Sequence, residues 1–299
     1  MRILVLGGTG LIGNRLVRHL RENADVYAST RTDRGQIPVL EHILDPNKWI
    51  FRFNATDFQL LESEIGRLRP KVIVNCLGIV KQHVSASDTE TAILLNSALP
   101  NRLSSLAVKY EFKLIHLSTD CVFSGNTGNY IESATPDPVD LYGRSKTLGE
   151  LNNSRDLTLR TSFVGREIKS FTNLFEWVRK NQNTKIVGYK KAIYSGLTTQ
   201  VTAEIIERLI FDFSTLTGLW HLASEPISKF DLIQKLSDSL NLRLDIEVDE
   251  EFICDRSLNP GALTATTGVV APDWPTMLER YVLEQDWYEN FLKDKVGTR

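Results

Sequence analysis

Tyr142-Gly143-Arg144-Ser145-Lys146 sets a phenol and an amine four residues apart. On a helix that spacing puts both side chains on one face. A tyrosine has a reference pKa of about 10 and does little acid–base work at pH 7 unaided. An ammonium group nearby favours the phenolate. The pair therefore reads as a proton-transferring phenol, with Lys146 both tuning it and holding a cofactor ribose. The spacing also occurs on ordinary surface helices, so it needs company. It has some in Ser118-Thr119-Asp120, at the end of an expected strand and 23 residues before Tyr142. A hydroxyl at a strand's carboxyl end lies where doubly wound folds bind ligands. Thr119 and Tyr142 could then meet at one carbonyl.

A second group of residues suits a dinucleotide. Gly7-Gly8-Thr9-Gly10-Leu11-Ile12-Gly13 follows an apolar strand and opens an amphipathic segment, with Gly7, Gly10 and Gly13 in the spacing G-x-x-G-x-x-G. Such a turn lets backbone approach a pyrophosphate, and the helix after it points its positive end at the same group. Sites for NAD usually carry an acid about 20 residues further on, for the ribose hydroxyls. Here the spot reads Ser29-Thr30-Arg31. Arg31 can pair with a 2′-phosphate, and Ser29 or Thr30 can donate to it. NADPH is thus expected over NADH, with NADH kept as the alternative and a plain solvated arginine as the other reading of Arg31. Asp57 stands where an adenine amino group could be met. Cys76, Leu77 and Gly78 follow another strand end, Asn75, close to the expected cofactor path. Asn75 and Gly78 serve equally well as turn formers.

These residues need elements to position them. Short apolar runs at 2–6, 25–30, 49–54, 71–76 and 113–118 read as strands, and segments 11–23, 58–68 and 91–110 read as helices. That alternation predicts an α/β fold, a Rossmann-type doubly wound parallel sheet with helices on both faces. A helix is expected from Tyr142, continuing through Gly149-Glu150. Further helices are expected at 171–181, 202–213, 229–240, 274–283 and 287–292. The division falls near Arg160: a dinucleotide-binding domain over 1–160 and a substrate-binding region over 161–299. Residues of about 194–222 are candidates to rejoin the main sheet.

Composition narrows the class. The 299 residues are 42% hydrophobic and 24% charged, with a formal net charge of −2. That is an ordinary folded chain, with no basic footprint for nucleic acid and no polybasic membrane anchor. No apolar run approaches the roughly 20 residues needed to span a bilayer. Cys76, Cys121 and Cys254 form no C-x-x-C pair, so a metal knuckle is not expected. Free thiols fit a reducing compartment, and the expected location is the cytoplasm.

Taken together, the glycine turn, Asp57, Asn96, the run from Ser118 to Gly125, Tyr142-x-x-x-Lys146 and Gly149-Glu150 resemble an extended short-chain dehydrogenase/reductase. The dTDP-4-dehydrorhamnose reductases and related nucleotide-sugar reductases are the most similar group. The resemblance covers most of the chain and is strongest over residues 1–165. It implies an active site of Thr119, Tyr142 and Lys146, with Asn96 on a helix that supports the lysine. It also implies a smaller C-terminal α/β domain for a nucleotide-sugar substrate. The implied reaction reduces the C4 ketone of a nucleoside-diphosphate 4-keto-6-deoxy sugar, in polysaccharide or deoxysugar biosynthesis. NADPH gives the hydride, Tyr142 the proton, Thr119 a hydrogen bond to the developing alkoxide, and Lys146 orients the ribose. Some of the similar reductases are homodimers and use magnesium; this sequence decides neither.

Departures keep other readings open. Cys121 stands where the reductases commonly carry tyrosine and related dehydratases a catalytic glutamate. It resembles the catalytic cysteine of epimerase/reductases, and it also suits a pocket wall. Those enzymes need a histidine in the second half, where only His221 occurs, and a buried structural role fits His221 better. Lys81 and His83 could line the sugar pocket. Phe171, Asn173 and Trp177 could stack on a base or form one buried helix face. Arg256 could clamp a diphosphate or make a surface ion pair. Finally, the β subunit of methionine adenosyltransferase looks like the same family, so a non-catalytic NADP-binding regulatory subunit is the reading from another class.

Overall fold

The computed structural model describes residues 1–79 and 89–292. Its first half runs β1 (Arg2–Leu6), α1 (Leu11–Leu20), β2 (Asp25–Ser29), α2 (Leu40–Ile43), β3 (Trp49–Ile50), α3 (Phe58–Leu68), β4 (Val72–Asn75) and α4 (Thr89–Ile93). A π-helical turn, Leu94–Ala98, joins α4 to α5 (Leu99–Tyr110). β5 (Lys113–Thr119), α6 (Leu141–Leu148) and β6 (Leu157–Thr161) follow.

These strands form a seven-stranded sheet in the order β10-β6-β5-β4-β1-β2-β3, with every pairing parallel. The seventh strand, β10 (Gly218–His221), comes from the second half of the chain and pairs with Leu157–Arg160 of β6. The central strands are buried almost end to end, because helices cover both faces and both sets of alternating side chains need apolar surroundings. One core joins β1, β2 and β6 to α1 and to the later helix α8 (Thr199–Phe211); a second lies on the other face, beneath α3 and α5. Strand order reverses between β1 and β4. In such sheets that reversal opens a crevice at the strands' carboxyl ends, where ligands bind.

The remainder of the chain holds β7 (Phe163–Val164), α7 (Leu174–Lys180), β8 (Lys185–Tyr194), β9 (Leu197–Thr198), α8 (Thr199–Phe211), β11 (Ile227–Ser228) and α9 (Lys229–Ser239). β12 (Asp245–Asp255), α10 (Gly261–Thr267), α11 (Trp274–Leu283) and α12 (Gln285–Leu292) complete it. β11, β8 and β12 make a small separate sheet, and β7 pairs with β9. No described helix is long and apolar enough to cross a membrane.

Several expected elements end elsewhere, each for a local reason. α1 stops at Leu20, three residues before its expected end. β3 is two residues long because the chain turns left-handed at Arg52, at φ 54°. α6 stops at Leu148, so Gly149-Glu150 does not continue the helix; Gly149 is its C-cap. α7 begins at Leu174 and not at Phe171, since Phe171 is itself left-handed at φ 53° and Asn173 supplies the cap. The long strands β8 and β12 are not foreseen in the sequence at all.

Candidate active site

β1 delivers the chain into the glycine turn. Gly7 sits at φ +85°, which favours glycine, and a Cβ there would press on Leu77. A Cβ on Gly13 would lie 2.1 Å from the Gly7 carbonyl oxygen, so this first turn of α1 packs on the glycine loop only with no side chain. The Gly10 amide closes the loop onto Gly7 O at 3.0 Å. Gly10 caps α1 with no side-chain bond. The Asn14 amide takes Gly10 O, so among the described residues the amides of Leu11, Ile12 and Gly13 have no hydrogen-bond partner. Three unpaired N–H groups at a helix start are a site for an anion. The donor set and the close backbone packing fit a dinucleotide pyrophosphate.

The end of β2 is partly as expected. Ser29 is buried and accepts from the Gly7 amide at 3.1 Å. It ties the turn to β2. Thr30 is also buried and bonds Thr9 and Thr32 through its hydroxyl. Arg31 projects from the end of this strand, exposed. The nearby carboxylate of Asp33 is taken by Arg52, and Arg31 pairs with no described residue. Asp57 is exposed and caps α3, its Oδ1 accepting from the amides of Gln59 and Leu60. On the other side of the reversal, β4 brings Cys76, Leu77 and Gly78 beside the glycine turn. The Cys76 amide bonds Leu6 O, and burial pushes the Cys76 thiol up to about 12.

β5 and α6 supply the remaining groups. Thr119 ends β5, buried; it accepts from the Cys121 amide and donates to Asp120 Oδ1 at 3.1 Å. Tyr142 lies in the first turn of α6, half-buried, with the Thr119 hydroxyl near its phenol. Desolvation pushes the Tyr142 phenol above its ordinary value, Cys121 adds to the rise, and the Thr119 hydroxyl opposes it. The expectation that Lys146 lowers the phenol is thereby corrected, because the dominant influences are desolvation and the groups after β5. Lys146 is only 4% exposed and donates to Leu117 O at 2.6 Å. Burial lowers its pKa to about 8, against the opposing pull of Glu150.

Asn96 holds this corner together. It lies in the π-helical turn, fully buried. Its Oδ1 accepts from the Ile79 amide at 3.0 Å, and its Nδ2 donates to Ser145 Oγ at 3.0 Å. A Cβ on Gly78 would meet Asn96 Oδ1 at 3.0 Å and Lys146 Nζ at 3.8 Å. Asn96 thus links α6 to the chain after β4, beside the lysine.

The expected substrate residues are divided. Arg256 follows β12 and returns to this site. Its Nε donates to Phe123 O at 2.9 Å, and its guanidinium lies 3.6 Å from Cys121 Sγ. Burial, with Asp120 next, pushes the Cys121 thiol up to about 12; it holds its proton at neutral pH and is no base. His221 is buried, bonds Tyr130 O through Nδ1 and packs on Arg160, while burial lowers it to about 4. It is a neutral structural histidine. Asn173 spends Oδ1 on the Phe175 and Glu176 amides, and Trp177 is 38% exposed. Phe171, Asn173 and Trp177 therefore share no single buried face; the buried residues of α7 are Phe175, Glu176 and Val178. Lys81 and His83 lie outside the described residues.

A family model described as the RmlD substrate binding domain matches residues 1–251. The chain belongs to this family. A dTDP-4-dehydrorhamnose reductase of Aggregatibacter actinomycetemcomitans is 25% identical over 93% of this chain and 88% of its own. Methionine adenosyltransferase 2 subunit beta of Xenopus tropicalis is 26% identical over 81% of this chain and 72% of its own. Among solved structures, a hypothetical dTDP-4-dehydrorhamnose reductase from Sulfolobus tokodaii superposes at a TM-score of 0.76. It is 27% identical over 91% of this chain and 98% of that one.

In this RmlD-family chain two glycines position α6, a role not read from the sequence. A Cβ on Gly143 would lie 2.3 Å from Cys121 O, and one on Gly149 would lie 1.9 Å from Asn96 O. The two ends of the helix are thereby pressed onto the loop after β5 and onto the π-helical turn. Gly143, inside so short a helix, costs about 1 kcal/mol against alanine, and that misfit with helix propensity was the available signal.

Proposed function

We propose that this RmlD-family chain is an NADPH-dependent reductase of the C4 ketone of a nucleoside-diphosphate 4-keto-6-deoxy sugar. The observation that carries the reading is Tyr142: it stands half-buried beside Thr119, and desolvation pushes its phenol above its ordinary pKa. At neutral pH it holds its proton, which suits an acid that completes a reduction. When bound, the nicotinamide supplies a hydride to the ketone carbon. Tyr142 gives its proton to the oxygen, and the Thr119 hydroxyl, turned from Asp120, stabilises charge on that oxygen. Lys146 reaches the ribose from below, and the amides of Leu11, Ile12 and Gly13 hold the pyrophosphate. Arg256, beside Cys121, supports a contact with the diphosphate of the sugar nucleotide through its guanidinium fork. Cys121 serves as pocket wall. Residues 1–160 with the strand at 218–221 form the dinucleotide unit, and the rest of 161–299 forms the substrate unit.

Arg31 supports NADPH over NADH because it is exposed and unclaimed. Arg31→Asp is expected to raise the dissociation constant for NADPH about tenfold or more, as for a lost phosphate contact reversed in sign. NADH should bind within about twofold of before. Titration of both nucleotides by nicotinamide fluorescence decides it, and an equal response would show that Arg31 does not read the 2′-phosphate.

Relatives named as methionine adenosyltransferase subunits support a second reading, a regulatory subunit that binds NADP without turnover. Addition of a dTDP-linked 4-keto-6-deoxy sugar to protein and NADPH separates the two. Absorbance at the nicotinamide band falls if the chain is the reductase. A protein that binds NADPH and oxidises none across a panel of 4-keto nucleotide sugars is the regulatory subunit.

A further inference from the structure

α12 reaches the glycine turn from the far end of the chain, and its residues lie beyond the 1–251 that match the family model. The contact is one fully buried side chain, Asn14, in the second turn of α1. Asn14 Nδ2 donates to Gly10 O at 2.8 Å and to Leu11 O at 3.0 Å. With both carbonyls claiming the amino group, Oδ1 must face the other way, where the Tyr288 hydroxyl donates to it at 3.1 Å. The Arg18 guanidinium lies 5.1 Å from the centre of the Tyr288 ring and stacks 3.4 Å from that of Trp287. Arg15 pairs with Glu284 at 2.6 Å alongside.

The peptide unit is planar. Holding Gly10 O therefore sets the direction of the Leu11 N–H, and holding Leu11 O sets that of the Ile12 N–H. Those are two of the three unpaired donors at the start of α1. Tyr288 and Asn14 thus form a chain of hydrogen bonds that ends on the two peptide planes aimed at the anion site. Linked bonds of this kind polarise and stiffen one another. Without the hydroxyl, Asn14 Oδ1 is a buried acceptor with nothing to accept, and the amide loses the restraint on its orientation.

We propose that Tyr288 is a positioning residue for the dinucleotide: from α12, acting through Asn14, it fixes the amides of Leu11 and Ile12 that bind the pyrophosphate. The inference rests on the cofactor reading above. Tyr288→Phe removes one oxygen and keeps the ring, and Asn14→Ala removes the relay. Both are expected to speed amide hydrogen exchange in residues 7–14. Both should raise KM for NADPH about three- to tenfold, the effect of one buried hydrogen bond, with little change in kcat. Trp287→Ala loosens α12 while keeping the hydroxyl; it should lower the melting temperature and leave KM and exchange at the turn as they were. Wild-type exchange and KM in Tyr288→Phe overturn the proposal, and so does an equal rise in Trp287→Ala. If the unaltered protein binds no NADPH while Tyr288→Phe still quickens exchange at the turn, the hydroxyl link stands and the cofactor reading falls.

Discussion

Tyr142→Phe is expected to lower kcat about a thousandfold, within the range that a positioned proton donor supplies, and to leave NADPH affinity within about twofold. The substitution removes only the hydroxyl. The ring stays in the first turn of α6, whose approach to the site is set by Gly143 against Cys121 O and by the Asp140 cap on the Gly143 amide. Thr119 keeps its bonds to Asp120 and to the Cys121 amide, so the hydroxyl proposed to stabilise the oxyanion remains while the proposed acid is gone. Single-turnover oxidation of NADPH with a saturating 4-keto sugar nucleotide measures the step directly. A kcat within about threefold of the unaltered protein would remove Tyr142 from the mechanism.

The parts of this site that were legible in the sequence are those whose spacing is local. A glycine triplet between a strand and a helix, and a tyrosine four residues before a lysine, lie within one turn or one helix. Their geometry follows from backbone periodicity. The buried parallel strands were legible for a related reason: burial on both faces demands continuous apolar runs such as Val72, Ile73 and Val74 of β4. β8 and β12 escaped because they lie in an outer sheet. Lys185–Tyr194 alternates buried and exposed positions, and Asp245–Asp255 is charged and largely exposed, so neither carries the apolar run that signals a buried strand. The direction of the Tyr142 shift was not legible either. It depends on desolvation and on Cys121, whose closeness to the phenol is a matter of loop packing. The same holds for Asn14 and Tyr288, 274 residues apart and joined by one hydrogen bond; no periodicity relates residues at that separation.

Lys146→Met is expected to cost at least a hundredfold in kcat and yet to make the protein more stable at pH 7. The lysine is almost wholly buried, and its pKa has fallen to about 8 from an ordinary value near 10.5 because burial penalises the ammonium. A depression of that size corresponds to about 3 kcal/mol of native-state cost while the group is charged. Methionine fills a similar volume without that cost. It also orphans the Leu117 carbonyl that Lys146 now holds, which returns about 1 kcal/mol. The net gain is therefore about 2 kcal/mol, visible as a melting temperature several degrees higher. The sign with pH is fixed. Below pH 8 both folded and unfolded chains carry the charge, and the cost is felt in full. Between pH 8 and the unfolded value the native lysine has lost its proton while the unfolded one keeps it, so the unaltered protein gains stability as pH rises. Melting curves of the two proteins should accordingly approach each other between pH 7 and pH 10, with the Met variant ahead at pH 7. Curves that stay parallel, or a Met variant that melts lower at pH 7, would mean that Lys146 is not held as a strained, desolvated cation. A residue that weakens the apo fold in this way is retained for what it does when the site is filled, and the opposing signs of the stability and turnover changes are the measurable mark of that role.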